Sequence, residues 1–197
     1  MIRRVSRLAL VALMFAPLAS LAAEYKVDKG HTTVSFKIRH LFTNVAGRFD
    51  DFDGVVTFDP AAFADSTVSG TIQVASINTN NEKRDTHLRA PDFFDVEKYP
   101  TITFKSTKVT DIDEAKKSAK LHGNLTMHGV EKPIVLDVAY LGTGKDPWGN
   151  TRGGFVASTT LNRKDFGITW NETLESGGLL LGEEVEVEIN FEGMMGK

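Results

Sequence analysis

The chain has 197 residues and contains no cysteine. Without thiols it has no disulfide bond, no thiol nucleophile and no cysteine-ligated metal site. The stability of the folded chain must therefore come from a packed core rather than from covalent links.

Long apolar runs are scarce as well. The clearest one, residues 8–15, is too short to span a bilayer. Three arginines precede it and small residues follow it, which is the order of a cleaved secretory signal. We predict a signal peptide over 1–22, cleavage after Ala22 rather than Ala23, and a mature domain of 23–197 exported to the periplasm.

Positive charge is not in excess. The full chain has 23 basic and 26 acidic residues. Removal of the three arginines of the predicted signal leaves 20 basic against 26 acidic residues, a net charge of −6. This balance argues against nucleic acid, or an anionic membrane surface, as a partner, and we expect no stable membrane insertion.

Patterns that indicate catalysis or metal binding are also missing. No serine lies in a G-x-S-x-G elbow, and no H-x-H or H-E-x-x-H spacing occurs. Asp85 and His87 would not face each other on a helix, because residues two apart point in different directions. We therefore predict no enzyme activity, no metal site and no cofactor. The potential metal ligands considered are His31, His40, His87, His122 and His128.

Alternation of apolar and polar residues dominates what is present. In Thr33–His40 the side chains of Val34, Phe36 and Ile38 share one face, the period-2 pattern of a half-buried strand. The same pattern returns in about eight segments with turn signals between them. We predict an all-β fold, a single antiparallel, lipocalin-like barrel, because closure removes the sheet edges.

One segment, residues 80–100, breaks the alternation. Asn80 or Asn81 can cap a helix start, and no helix breaker follows until Pro91. The segment predicts one short helix that places charged residues beside a large apolar surface. The residues that do so are Arg84, Asp85, His87, Arg89, Phe93, Phe94 and Tyr99.

Several short motifs occur in a fixed order along the chain. They are Arg84-Asp85 with His87-Leu88, Asp92-Phe93-Phe94-Asp95, Tyr99-Pro100, Gly123-Asn124-Leu125-Thr126, Trp148 with Asn150 and Arg152, Asn162-Arg163, and Asp165-Phe166-Gly167. In this order they closely resemble the YceI-like family, over nearly the whole chain after the leader. One departure is Ala90, where members of the family more often carry a small polar residue.

The resemblance implies a lipocalin-type barrel with a hydrophobic tunnel that binds a polyisoprenoid, a quinone or another long-chain amphiphile. It also makes a homodimer an expectation. Transport, storage and stress protection would all use the same tunnel. Alternation alone leaves open whether the interior is a tunnel or a solid core. The alternative is therefore a non-catalytic envelope interaction protein with a solid barrel.

Two sets of side chains are candidates for ligand binding under this interpretation. The predicted tunnel lining is Phe36, Ile38, Phe49, Phe93, Phe94, Phe104, Leu125, Trp148, Phe155, Phe166 and Trp170. The predicted head-group contacts, at the mouth, are Arg84, His87, His40, Arg152 and Arg163.

Each head-group contact has a structural alternative. Arg84 with Asp85 can form an ion pair that pins the helix, and Asn162-Arg163 can belong to a turn fixed by its own side chains. The histidines can be satisfied core or surface residues.

Overall fold

A computed structural model describes residues 22–175 and 177–196. The predicted signal peptide, apart from Ala22, lies outside the described residues. None of the described helices is long and apolar enough to cross a membrane. The strands are β1 (Ala23–Val27), β2 (Thr33–His40), β3 (Thr43–Phe49), β4 (Phe52–Phe58), β5 (Thr67–Gln73), β6 (Ile77–Asn78), β7 (Thr101–Asp113), β8 (Ser118–Met127), β9 (Val130–Lys145), β10 (Thr151–Asn162) and β11 (Leu181–Met195). The α-helix is α1 (Glu82–Arg89), and 3₁₀ helices span Phe63–Asp65, Val74–Ser76 and Arg163–Phe166.

Eight strands form a closed antiparallel ring in the order β1-β4-β5-β7-β8-β9-β10-β11, with β11 pairing back to β1. The predicted barrel is therefore confirmed. The ring closes because β11 is 15 residues long and meets two partners on the same edge. Residues 181–190 of β11 pair with β2, and residues 193–195 pair with β1. Strands β3 and β6 extend the sheet beyond β2.

Side-chain alternation follows the predicted pattern in the strands. In β8 the burial alternates without exception along the strand. In β11 the side chains of Val185, Val187 and Ile189 line the barrel interior. The glutamates between them are exposed. One face of each strand thus supplies the apolar interior and the other the polar exterior.

Aromatic rings fill one end of the barrel. Phe58 is 2% exposed, and its ring centroid lies 4.9 Å from that of Phe63, 4.7 Å from that of Tyr140 and 5.0 Å from that of Phe155. The first 3₁₀ helix brings Phe63 into this cluster from outside the ring. We call the end that holds Phe58, Phe63, Tyr140 and Phe155 the closed end.

The opposite end, the helix end, carries α1. Asn81 caps the helix, its side chain accepting a hydrogen bond from the backbone N–H of Arg84 at 3.1 Å. The helix ends at Arg89, before Pro91, as the sequence predicts. The buried carboxylate of Asp85 accepts hydrogen bonds from the backbone N–H and the hydroxyl of Thr79.

Arg84 also binds Thr79. Its Nε donates to the hydroxyl oxygen at 2.7 Å and its Nη2 to the carbonyl oxygen at 2.8 Å. The predicted alternative, a direct ion pair between Arg84 and Asp85, is therefore wrong in its geometry. Both side chains pin the helix, but they do so through Thr79.

A guanidinium joins three segments at the closed end. Arg152 donates to the carboxylates of Asp28, in the β1–β2 loop, Asp146, in the β9–β10 loop, and Glu192, in β11. The hydrogen bond from Arg152, followed by that from His31, lowers the pKa of Asp28 to about 2. The pKa of Asp146 is also lowered, first by the Asn150 amide and then by Arg152.

The lowered pKa of Asp28 predicts a pH-dependent contribution of Arg152 to stability. A carboxyl group whose pKa is depressed on folding stabilises the folded state above its ordinary pKa of 3.8, and this stabilisation is lost as the pH falls toward 2. Arg152→Gln should therefore lower the midpoint of urea unfolding clearly at pH 7. The difference in midpoint between this variant and the unmodified protein should become smaller below pH 4.

The matched control is Lys120→Gln, which removes an exposed ion pair with Asp137 and should change the midpoint little at any pH. A gap between Arg152→Gln and the unmodified protein that stays constant from pH 7 to pH 3 would contradict this account.

Removing the buried carboxylate should loosen the helix end. Asp85→Ala leaves the N–H and hydroxyl of Thr79 without their acceptor, so we expect a loss of about 2 kcal/mol in the free energy of unfolding. The control, Asp92→Ala, removes an exposed carboxylate 3.2 Å from His87 and should cost under about 0.5 kcal/mol. If urea denaturation gave equal losses in the free energy of unfolding for the two variants, the buried carboxylate of Asp85 would not stabilise the helix end.

Candidate ligand tunnel

A cavity of about 710 Å³ occupies the barrel interior. Its wall includes Phe58 and Phe63 from the closed end and Asn81 and Lys83 from the helix end, so it extends along the barrel. The volume lies within the range of small-molecule sites. The interior is thus a tunnel rather than a solid core, which removes the premise of the alternative interpretation.

Most of the predicted tunnel residues line this cavity. Phe93, Phe94 and Trp170 reach it from loops, and the others reach it from inward positions on strands. Whether they bind a ligand stays a prediction. The predicted residues found in the wall are Phe36, Ile38, Phe49, Phe93, Phe94, Phe104, Leu125, Phe155 and Trp170.

Two predicted tunnel residues, Trp148 and Phe166, lie elsewhere. Trp148 is 80% exposed in the β9–β10 loop, where the carboxylate of Asp146 accepts a hydrogen bond from its backbone N–H at 3.0 Å. Phe166 is 2% exposed and packs in the apolar core beside the cavity. Neither residue therefore lines the cavity as predicted.

The predicted head-group residues divide in the same way. His40, Arg84, His87 and Arg163 line the cavity. Arg152 does not, because its guanidinium is engaged by three carboxylates at the closed end. Arg152 thus has a structural role at the closed end and does not lie among the head-group contacts at the mouth.

Arg163 is the most deeply buried of these cations, at 4% exposure. Its Nε donates to the carbonyl of Gly182 at 2.9 Å, and its Nη1 donates to the carbonyls of Ile168 at 2.9 Å and Trp170 at 2.8 Å. Burial lowers the pKa of its guanidinium. Arg163 therefore holds the loop that carries Trp170 against β11.

The turn around Arg163 has the predicted character. The side chain of Asn162 accepts the backbone N–H of Lys164 at 3.0 Å, and Gly167 ends the 3₁₀ helix in a left-handed conformation. The turn is thus fixed by its own residues, while the arginine points inward.

Polar side chains gather where the cavity meets solvent at the helix end. Asn81 and Lys83 are exposed and line the cavity. His87 contacts the ring of Trp170 edge-on, with the centroids 5.1 Å apart. His40 lies at the end of β2 and Arg84 on α1. We call Asn81, Lys83, Arg84, His87 and His40 the mouth.

Two glycines widen the tunnel. Gly54 and Gly70 face each other on β4 and β5 and line the cavity. A Cβ atom built on Gly70 would meet only the carbonyl oxygen of Asp53, at 3.5 Å. A glycine at an inward strand position is the sequence signal for such a widening.

Gly123 has a different role. A Cβ atom there would lie 2.3 Å from the ring of Phe104 and 2.6 Å from the carbonyl oxygen of Lys105. The glycine therefore makes room for Phe104, and a larger residue at this position would disrupt packing rather than fill the tunnel.

Outside the tunnel, Asp28, His31 and Glu192 place three potential metal-ligand atoms within 4.8 Å of one another. Asp28 and His31 lie three residues apart, but Glu192 joins them only through the folding of the chain, so no local spacing marks the group. Arg152 already donates to both carboxylates, and His31 Nδ1 lies 2.9 Å from Asp28. A cation of the chain itself thus already binds both carboxylates of the group.

Comparison with known proteins agrees with this architecture. A UPF0312 protein of Vibrio cholerae is 44% identical over 162 residues, which cover 81% of this chain and 85% of that protein. The crystal structure of a Campylobacter jejuni YceI protein has 37% identity and a TM-score of 0.67, covering 87% of this chain and 97% of that one.

A polyisoprenoid-binding domain of Saccharophagus degradans, implicated in plant cell wall breakdown, shares the fold at 18% identity. Its TM-score is 0.61, with coverage of 90% of this chain and 100% of that one. The YceI-like domain as a family matches residues 25–193. The order of motifs, the closed barrel and this match lead to one conclusion: the chain belongs to the YceI-like family.

Proposed function

We propose that this protein is a periplasmic carrier that sequesters a long-chain isoprenoid, or a similar amphiphile such as a quinone, in its barrel tunnel. The observation that carries the proposal is the cavity of about 710 Å³, which aromatic rings close at one end and polar residues border at the other. The periplasmic location rests on the signal-like amino terminus, and a homodimer rests on the family resemblance alone.

Burial of the ligand's tail supplies the affinity. Each methylene moved from water into an apolar wall contributes about 0.8 kcal/mol, so a prenyl tail offsets the cost of association. Such a tail has negligible solubility in water. A protein that encloses it supplies the apolar phase that an aqueous compartment lacks.

The distribution of polar groups favours one orientation, with the tail toward the closed end and the head at the mouth. The mouth offers hydrogen-bond donors from Lys83, Arg84 and the two histidines, which suit a phosphate or a quinone oxygen. The polyisoprenoid-binding domain of Saccharophagus degradans has the same fold, which supports a tunnel ligand of this class without specifying the head group.

The first experiment is native mass spectrometry of the protein isolated from its own host, followed by denaturing extraction. We expect a stoichiometric mass increase that resolves into a prenyl lipid on extraction. A bare polypeptide mass, unchanged after incubation with isoprenoid quinones and long-chain lipids, would reject the carrier function.

A substitution in the tunnel wall tests the same proposal from the protein side. Gly70→Leu should fill the recess beside Gly54 and reduce uptake of a long-chain ubiquinone at least about tenfold, because the leucine occupies the volume of several buried methylenes. Folding should be retained, since a Cβ atom at this position meets no side chain.

The matched control is Thr67→Leu, three residues earlier on β5 at an exposed position outside the cavity wall. Its side chain points away from the barrel, so uptake should be unchanged. A folded Gly70→Leu variant with undiminished uptake would place the ligand outside the tunnel.

A further inference from the structure

A fully exposed aromatic residue lies beside the tunnel mouth. Phe42 is 100% exposed in the turn between β2 and β3. The hairpin reaches the mouth on both strands, because His40 and Val45 line the cavity. Phe42 follows His40 by two residues, so its backbone lies within about 7 Å of the mouth.

A second apolar segment lies against the same turn. The backbone N–H of Leu41 donates to the carbonyl of Leu180 at 3.0 Å, and the neighbouring Leu179 is 38% exposed. Leu180 itself lines the cavity. We call Leu41, Phe42 and Leu179 the docking tip.

The charge of this hairpin differs from that of the chain. Residues 33–49 contain two arginines and one lysine but no aspartate or glutamate, whereas the neighbouring segment that supplies Leu179 carries the exposed Glu172, whose carbonyl accepts the N–H of Leu180 at 2.9 Å. Lys37 lies opposite Glu186, and Arg48 pairs with Asp50 at 2.6 Å. Arg39, the cation nearest the tip, donates to the carbonyl of Leu41 at 3.1 Å.

We propose that the docking tip inserts transiently into a lipid bilayer, so that the tunnel mouth faces the source of its ligand. An aromatic side chain on a projecting turn, with a cation beside it, is the combination that suits the interface of a membrane. The net negative charge of the chain disfavours attachment by a broad surface, which confines the contact to the tip.

This inference rests on the proposed carrier function, because it supplies the route by which a water-insoluble ligand reaches the tunnel. A ligand that passes directly from bilayer to mouth never crosses water. The apolar tip, the polar mouth and the tunnel lie in this order along the hairpin, as such a transfer requires.

The test uses vesicles of phosphatidylethanolamine with a minor component of phosphatidylglycerol, loaded with a long-chain ubiquinone. The chain has two tryptophans, so Trp148→Phe leaves Trp170, in the tunnel wall, as the sole reporter of quinone binding by fluorescence quenching. Membrane contact is measured separately, by flotation with vesicles that contain no quinone.

In this background Phe42→Ser should reduce flotation and slow quinone uptake from vesicles about tenfold, the loss expected for one aromatic anchor. Quenching by quinone delivered in detergent should be unchanged. The control, Leu141→Ser, removes a side chain that is 64% exposed on β9, and both measurements should stay as in the parent.

Equal flotation and uptake for Phe42→Ser and its parent would overturn the proposal. A change from dimer to monomer on sedimentation, with flotation unaffected, would also overturn it and assign Phe42 to self-association. Failure of every variant to bind detergent-delivered quinone would reject the carrier function instead, while flotation would still decide whether the tip contacts a bilayer.

Discussion

Closure of the sheet by β11 is the constraint on which the rest of the structure depends. One strand of 15 residues pairs with β10 along one edge and shares its other edge between β2 and β1. Strand β1 pairs with β11 only at the closed end. Toward the helix end β11 therefore pairs with β2, which in turn pairs with β3. The edge of β11 is thus divided between two partners. Pairing with β1 closes the barrel at one end, and pairing with β2 positions the β2–β3 hairpin beside the mouth at the other.

Two kinds of inward residue keep the interior from collapsing into a solid core. Large rings such as Phe58 and Phe155 pack against each other at the closed end. Farther along, Gly54 and Gly70 pair with each other and contribute no side chain to the interior, so the wall is thin there. Beside Gly70 the neighbouring strand carries Phe104, so small and large residues together shape the wall of the tunnel.

The fold could be predicted from the sequence because period-2 alternation and helix capping are local signals. Asn81, Pro91 and the inward valines of β11 all lie where the pattern indicates. The site could be predicted only in part. Arg152 and Arg163 are both cations near aromatic motifs, but Arg152 binds carboxylates at the closed end and Arg163 binds carbonyls inside the wall. Trp148 and Phe166 were misplaced for the same reason, since a loop residue's distance from the mouth depends on long-range pairing that local patterns do not encode.

The aromatic cluster at the closed end has a consequence for how long any chain-like ligand stays bound. With one end blocked by Phe58 and its neighbours, the first part of a ligand to enter is the last to leave, and release requires withdrawal of the whole tail through the mouth. At about 0.8 kcal/mol per methylene, each additional buried carbon lengthens the residence time roughly fourfold. The length of the tail therefore sets the dissociation rate. Ligands with short tails exchange, whereas ligands with long tails stay bound for the lifetime of the protein.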